Sequence, residues 1–295
     1  MARSASVRVE VFADLRADVG EAPHWDDRTR SLLFVDLTAG AVFRYDQSGV
    51  RVGSFAVGQE VGAAIPRRAG GLVLAVRDGI AVVSETGEGF ELTAPVERDD
   101  PGNRMNDAKC DPAGRLLAGT MAFDLAPRSA ALYRIAPDWS FERLVPDVTQ
   151  SNGIAWSPSG AQMYFIDSAT QGVDVFDYSA ATGAAGNRRR LVTIDPALGT
   201  PDGMTADDKG NLWVACFGGA AVRCFSPSGA QLGEITFPVT QVTSCAFGGL
   251  GLRDLYVTSA AYRLSPAELA SQPHAGATFV CRPGAAGLPA SSFAG

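Results

Sequence analysis

The sequence predicts an all-β fold, a six-bladed β-propeller with four-stranded antiparallel blades around a central channel, in which residues 1–295 form a single domain. Six strongly β-forming runs begin 40, 44, 47, 49 and 43 residues apart, and most follow a turn that contains Gly or Asp. A ring-forming position recurs 10 or 11 residues before each run. Self-similarity at about 40–50 residues with several strands per repeat is typical of propellers.

The six runs mark the repeats along the chain. They are Leu32–Leu37, Leu72–Arg77, Leu116–Met121, Met163–Ser168, Leu212–Phe217 and Leu255–Ala260. The turns before three of them match closely, at residues 111–114, 157–160 and 207–210. A pair of β-sandwiches is the competing architecture, but sandwiches have no reason to repeat turn chemistry at this interval.

The remaining elements follow in order. Val7–Phe12 alternates apolar and polar residues as a strand does. The first repeat continues after its marker run with strands at Ala41–Tyr45 and Val50–Val57, separated by a turn at residues 47–49. The only helix start is Ser265–Ala270, which has Ser as a cap and Pro in the first turn.

The last repeat provides three strands of its own. They are expected near Val242–Phe247, Asp254–Ser259 and Ala277–Cys281. A four-stranded blade therefore lacks one strand, and we predict that the N-terminal strand Val7–Phe12 supplies it and closes the ring.

Composition narrows the class of protein. The net charge is −7 and the longest basic run is Arg188–Arg190, which argues against nucleic acid as a partner. No apolar run approaches the roughly 20 residues that span a bilayer, and Met1–Glu10 lacks the apolar segment of a signal peptide. Five scattered cysteines without a C-x-x-C pair indicate a reduced, cytoplasmic protein. We expect a monomer or a weak homo-oligomer without a membrane partner.

One position per repeat is expected to form a ring around the channel, because the innermost strands of a propeller line its axis. The six positions are Glu21, Val61, Asn106, Asn152, Asp202 and Ser244. Two carboxylates brought together repel unless a cation or a shared proton relieves them, and hard divalent ions prefer oxygen ligands. Taken singly, however, Asn-Gly and Asp-Gly are ordinary turn dipeptides, and a lone Glu can satisfy a backbone amide.

Other kinds of site are disfavoured. The chain has two histidines, His24 and His274, and no Cys/His cluster, which argues against a nitrogen and sulfur zinc site. We interpret His24 as structural, although it stands three residues after Glu21. Neither a nucleophile elbow, a dinucleotide fingerprint nor a P-loop is present.

Several segments together resemble the family of senescence marker protein (regucalcin), gluconolactonase and luciferin-regenerating enzyme. In order along the chain they are Gly20–Pro23, Arg104–Asp107, Ala118–Met121, Ser151–Trp156, Pro201–Met204, Ser244–Gly249 and Pro273–Gly276. Each segment is short and unspecific alone, but their shared order is specific. The resemblance implies a six-bladed propeller with one divalent cation in the channel.

Position by position, the resemblance implies a ligand set and a substrate site. The metal ligands would be Glu21, Asn152 and Asp202. Arg104 and Asn106 would bind substrate, and Asp124 would take the place of a carboxylate that follows the Gly-Thr-Met segment in relatives. Calcium is the first expectation for the cation, with magnesium, manganese, zinc or iron(II) as alternatives.

The expected activity is hydrolysis of a sugar lactone, such as a glucono- or pentonolactone, to its aldonic acid. We assign Asp202 as catalytic general base as well as ligand, and Arg104 as the group that orients the substrate. The alternatives are a phosphotriester hydrolase on the same scaffold, a calcium-binding regulatory protein without turnover, and a propeller that only binds protein partners. The Arg104 and Asn106 pair favours an enzyme, since a metal buffer needs no substrate-binding groups.

Overall fold

The computed structural model describes residues 7–295. The chain begins with strand β1 (Val9–Ala13). The first blade comprises β2 (Gly20–Asp26), β3 (Ser31–Asp36), β4 (Ala41–Asp46) and β5 (Arg51–Ala56). The second comprises β6 (Val61–Pro66), β7 (Leu72–Val76), β8 (Gly79–Val83) and β9 (Glu91–Ala94). The third comprises β10 (Asn103–Cys110), β11 (Leu116–Ala122), β12 (Ala130–Ile135) and β13 (Phe141–Val148).

The second half of the chain repeats this arrangement. The fourth blade comprises β14 (Ser151–Trp156), β15 (Gln162–Asp167), β16 (Gly172–Tyr178) and β17 (Ala185–Thr193). The fifth comprises β18 (Thr200–Ala206), β19 (Leu212–Phe217), β20 (Ala221–Phe225) and β21 (Gln231–Thr236). The sixth contains β22 (Val242–Gly248), β23 (Asp254–Ser259) and β24 (Thr278–Cys281). Three short 3₁₀ turns and one helix, α1 (Pro266–Ser271), lie between strands.

The predicted propeller is confirmed. Every sheet has four antiparallel strands, and β2, β6, β10, β14, β18 and β22 each contact the corresponding strands of the two adjoining blades. These six strands therefore form a closed inner ring. They are buried almost throughout, whereas the outermost strands, such as β5 and β21, are largely exposed. The marker runs of the sequence are the second strands of the blades.

Apolar residues of neighbouring blades meet in six clusters, one at each interface between adjoining blades. The cluster between the last and first blades stacks Trp25 against Tyr256, with ring centroids 5.6 Å apart. All five cysteines are buried free thiols. Burial of apolar surface between blades, at roughly 25 cal/mol per Å², is thus the main source of stability in this fold.

The N-terminal strand closes the ring as predicted, although it begins two residues later than expected. β1 pairs antiparallel with β24, with Val9 opposite Cys281 and Val11 opposite Phe279, as the outermost strand of the sixth blade. The capping box at Ser265 and Glu268 confirms the predicted start of α1. Met1–Ser6, part of the segment predicted to lack a signal peptide, lie outside the described residues.

Deleting residues 1–15 should destabilise the whole protein. The deletion removes β1, leaves β24 as an exposed edge, and uncovers Tyr256, against which Phe12 packs with centroids 4.8 Å apart. We expect a lower midpoint of thermal unfolding by calorimetry. Glu10→Gln, an exposed position of the same strand, is the matched control and should melt like the parent. A truncated chain that melts like the full chain would contradict closure by β1.

After β24 the chain crosses one end of the channel. Phe293 is fully buried and packs on Trp139, with ring centroids 4.9 Å apart. Its backbone bridges to Arg67, and the backbone of Gly287 bridges to Asp207. This C-terminal segment (residues 282–295) therefore joins the second, third and fifth blades at the same end. Among the described residues, no helix is long and apolar enough to cross a membrane.

Candidate functional site

The six ring positions all lie on the innermost strands, one per blade. In the order of the blades they are Glu21, Val61, Asn106, Asn152, Asp202 and Ser244, and none is more than 8% exposed. Each lies at or beside a break in the pairing of its strand with the next. Bulges of this kind redirect side chains, which explains why one offset from the marker runs identifies the ring.

The small residues that follow the ring positions have a steric cause. A Cβ atom at Gly62 would lie 1.7 Å from the backbone oxygen of Asn106, and one at Gly203 would lie 2.0 Å from Ser244 Oγ. Neighbouring innermost strands therefore approach each other most closely just after the ring. Glycine lets the ring contract enough for side chains from different blades to meet.

A hydrogen-bond chain links three blades, the third, fourth and fifth, through the ring. Arg104 Nη1 donates to Asn106 Oδ1 (2.7 Å), and Asn106 Nδ2 donates to Asn152 Oδ1 (2.7 Å). Asn152 Nδ2 donates to Ser168 Oγ (2.7 Å), which donates to the backbone oxygen of Pro201 (2.6 Å). The two amides are thereby fixed in one orientation, with the Asn152 oxygen facing the ring.

The carboxylates of the ring lie in an unfavourable environment for negative charge. Burial, and after it the charge of Asp107, raise the pKa of Glu21 to about 8. Burial also holds the pKa of Asp202 well above its usual range, with the charges of Glu21 and Asp107 acting in the same direction. Arg104 opposes both shifts. Without a further cation, the site therefore favours protonated carboxyl groups.

Arg104 lies on the side of the ring away from the C-terminal segment, and we call this end of the channel the mouth. Burial lowers the pKa of its guanidinium to about 10, while the charge of Glu60 acts against that shift. The ring of Phe123 lies under two guanidinium groups, 5.9 Å from that of Arg104 and 5.7 Å from that of Arg77. This mouth combines a half-buried cation with an exposed aromatic ring, which suits a polar ligand with an apolar face.

The structure brings five of the six predicted site residues together and leaves Asp124 apart. Asp124 is exposed on the loop after β11, next to Phe123, and its Oδ1 accepts a hydrogen bond from the backbone of Ala126 (2.9 Å). It is thus a residue of the channel mouth. The predicted contact between Asp124 and substrate stays a prediction.

Three further residues, two of them buried and Lys109 half-buried, contact the site and were not singled out by the sequence. Asp107 is 6% exposed, and burial raises its pKa. Lys109 Nζ donates to the backbone oxygen of Met204 (2.7 Å) across the channel, and Ser168 holds Asn152. The sequence contains two features that could have identified them. Asp107 follows a ring position where the other blades have a small residue, and Lys109 is one of only two lysines in the chain.

The donors of the ring fit a hard divalent cation. Glu21, Asp202 and Asn152 offer two carboxylates and an amide oxygen from three blades. Burial first, and then the charges of neighbouring carboxylates, raise the pKa values of the two carboxyl groups, and a bound cation would offset both effects. Residues 7–295 contain no group of three or more His, Cys, Asp and Glu side chains that could hold a metal. The predicted ligand set has two carboxylates, and the amide oxygen of Asn152 is its third protein ligand.

Comparison with known proteins gives consistent matches. The model of a family described as the SMP-30/Gluconolactonase/LRE-like region matches residues 19–261. Regucalcin from Danio rerio is 40% identical over 295 residues, which cover 99% of this chain and 100% of that protein. A luciferin-regenerating enzyme superposes with a TM-score of 0.92 at 34% identity, over 98% of this chain and 100% of its own. Regucalcin from Agrobacterium tumefaciens, described as a calcium-binding protein, superposes with a TM-score of 0.91 at 25% identity, over 98% of this chain and 97% of its own.

Proposed function

The chain belongs to the SMP-30/gluconolactonase/LRE-like family, and from that premise we propose that it is a metal-dependent lactonase that opens a sugar lactone to its aldonic acid. One observation carries the proposal: two buried carboxylates and an amide oxygen lie in a ring beside a half-buried arginine. The carboxylates suit a cation, and the arginine suits the oxygen of a substrate. A site for both is what hydrolysis of a neutral ester requires.

Glu21, Asn152 and Asp202 would hold the cation. Calcium is our first choice because all three donors are oxygens, and magnesium, manganese, zinc and iron(II) are the alternatives to be tested. When bound, such an ion supplies a Lewis acid that polarises the lactone carbonyl. The amide of Asn152 is held ready for this by Asn106 and Ser168, so its oxygen needs no reorientation.

Asp202 would act as general base. Its carboxylate takes a proton from the water that attacks the lactone carbonyl carbon, and the ester C–O bond then breaks. The ring oxygen leaves with that proton as a hydroxyl group, so one water is consumed and one hydroxy acid is formed. General base catalysis of this kind contributes typically about 10²–10⁴-fold.

Arg104 and Asn106 would bind and orient the substrate. The Arg104 guanidinium has five N–H donors, of which Nη1 is engaged with Asn106 and the backbone oxygen of Met105. The remaining donors can meet the hydroxyl groups and the developing oxyanion of a lactone. Asp124 is proposed as a further contact for hydroxyl groups at the mouth, next to Phe123.

A calcium-binding protein without turnover is the second candidate, because a structural relative is described as calcium-binding. The two candidates differ in what they require of Arg104. A metal buffer gains nothing from a guanidinium beside its ligands, since the charge of the guanidinium repels that of the cation. The arrangement therefore favours the enzyme.

A panel of aldonolactones tests the proposal. We expect acid release from at least one five- or six-carbon lactone, loss of that activity after chelation, and its return with one of the five cations. A phosphotriester in the same panel tests the related hydrolase. If calcium binds to the protein but no lactone or phosphotriester is hydrolysed with any of the ions, the calcium-binding protein is the correct alternative.

A further inference from the structure

Besides the site at the ring, a second cavity of about 350 Å³ lies at the end of the channel that the C-terminal segment crosses, opposite the mouth. Its walls come from five of the six innermost strands, two or more residues beyond the ring position in each, and from the C-terminal segment. A strand rises about 3.3 Å per residue, so this cavity and the ring occupy different levels of the channel. It therefore lies at a different level from the proposed lactonase site and adjoins that site at Lys109.

Two nitrogen-bearing side chains in this cavity have unused hydrogen-bonding capacity. Lys109 donates to the Met204 oxygen, which leaves two of its three N–H groups for other acceptors, and none of the ion pairs in residues 7–295 includes it. His24 is 8% exposed, and among the described residues the only imidazole with a hydrogen bond is that of His274. Lys109 is half-buried, so the N–H groups that it does not donate to Met204 can donate to a ligand.

The rest of the cavity wall is apolar and aromatic. Trp25, Trp156 and Phe247 all line it and are at least nine-tenths buried, and Leu288 of the C-terminal segment lies on the outer side. Flat aromatic surfaces of this size accommodate a ring or a short alkyl chain of a ligand. Sugars, which carry a hydroxyl on nearly every carbon, would leave their hydroxyl groups unpaired here.

The charges around the entrance favour an anion. An adjoining cavity shares His24 and Trp25 and is lined by Arg67 and Arg68. The two acidic residues beside them already have partners: Asp26 is paired with Arg44 (3.1 Å), and Asp27 Oδ1 accepts a hydrogen bond from Trp25 Nε1 (2.8 Å). Toward the ring, Asp107 and Glu21 lie near enough to Lys109 for their charges to act on it. A single negative charge can therefore be matched by Lys109, whereas a dianion would face these acids with too little positive charge.

We propose that this cavity binds a small monocarboxylic acid with an apolar body. Its carboxylate would accept hydrogen bonds from Lys109 Nζ and from the His24 imidazole, and its apolar part would pack against Trp25, Trp156 and Phe247. The class of ligand is an aryl- or alkyl-substituted acetate or propionate. The ligand and the lactone substrate occupy opposite ends of one channel.

The test uses 3-phenylpropionate as the probe, followed by calorimetry and by tryptophan fluorescence. We expect saturable binding of one molecule per chain, at least about tenfold tighter than that of 3-phenylpropionamide, which lacks the charge. Gluconate, which has the carboxylate but not the apolar body, should not bind at this site. Saturable binding of 3-phenylpropionate should persist both after chelation and after addition of calcium.

Variants locate the site. Lys109→Met should weaken binding of the acid by about tenfold or more, because a hydrogen-bonded charge is lost. Lys209→Met is the matched control, since the second lysine lies exposed in the turn between β18 and β19, and it should bind like the parent. If Lys109→Met does not fold, Ala246→Leu narrows the same cavity without changing its charge and should weaken binding of both acid and amide.

Three results would overturn the proposal. One is equal affinity for the acid and the amide, which would remove the role of Lys109. Another is the absence of saturable binding at millimolar concentrations of the acid. The third is loss of binding on chelation, because the carboxylate would then be bound by the metal in the ring.

Discussion

Asp202→Asn is expected to lower lactone turnover by at least about 100-fold at a saturating concentration of the cation. The amide keeps an oxygen that can coordinate the ion, but it cannot accept a proton from water. Asp202 is 8% exposed and lies on β18 beside the bulge, so the replacement preserves both size and position. Asp202→Ala removes the ligand as well and should lose turnover and metal affinity together.

The measurement pairs turnover with metal affinity for each variant. Asp208→Asn, an exposed carboxylate in the turn of the same blade, is the matched control and should keep both quantities. Near-normal turnover of Asp202→Asn with metal bound would show that another group is the base, while the ligand role would survive. Normal turnover of Asp202→Ala would remove both assignments.

The double assignment of Asp202 has a physical tension that these variants address. A carboxylate bound to a cation is a weaker base than a free one. Burial and the neighbouring carboxylates act in the opposite sense, because they raise the pKa of Asp202 well above its usual range. The two effects offset each other, so that a metal-bound Asp202 could keep a basicity closer to that of an ordinary carboxylate.

The fold was predictable from the sequence because the same strand pattern recurs six times along the chain. Six runs of similar composition identify the second strands, and an offset of 10 or 11 residues from them identifies the innermost strands and the ring. That offset has a structural cause, the bulge at the same place in each blade. Even the closing strand followed from counting, since the last repeat has only three strands of its own.

The second cavity and the partners of the ring were not predictable, because they depend on single residues and not on the repeat. Lys109 reaches Met204, a residue 95 positions away and two blades further round the ring. Ser168 holds Asn152 from the end of β15, and Asp107 occupies a position where the other blades have small residues. Contacts of this kind do not recur from blade to blade, so only the three-dimensional arrangement shows them.

The C-terminal segment illustrates the same limit. It follows the last strand and contributes no blade, yet Phe293 is fully buried and its backbone bridges to the second blade. Its sequence is rich in Ala, Gly and Pro and has no strand pattern. Its position is set by the surface that the completed propeller offers, which a pattern within the segment cannot encode.

Chelated protein is expected to lose stability as the pH rises from about 5 to about 8. Glu21 ionises near its ordinary pKa of 4.5 in the unfolded chain, but burial and Asp107 raise its pKa to about 8 in the folded one. Between these values the folded state holds the additional proton, so its stability relative to the unfolded chain falls with rising pH. For one proton the slope is about 1.4 kcal/mol per pH unit. The raised pKa of Asp202 adds to the same trend.

Calorimetric unfolding of the chelated protein across this pH range measures the slope. Glu21→Gln should flatten it, whereas Glu88→Gln, at an exposed turn of the second blade, should leave it as in the parent. Adding calcium should raise the unfolding temperature most at pH 8, because the ion binds the ionised carboxylates that are least tolerated without it. Stability that rises with pH in the chelated parent, or a slope unchanged by Glu21→Gln, would contradict a buried carboxyl at this position of the ring. If the expected slope is found, binding of one cation is coupled to the ionisation of two buried acids. The residues that make the stability of the metal-free protein depend on pH are then the same ones that bind the metal.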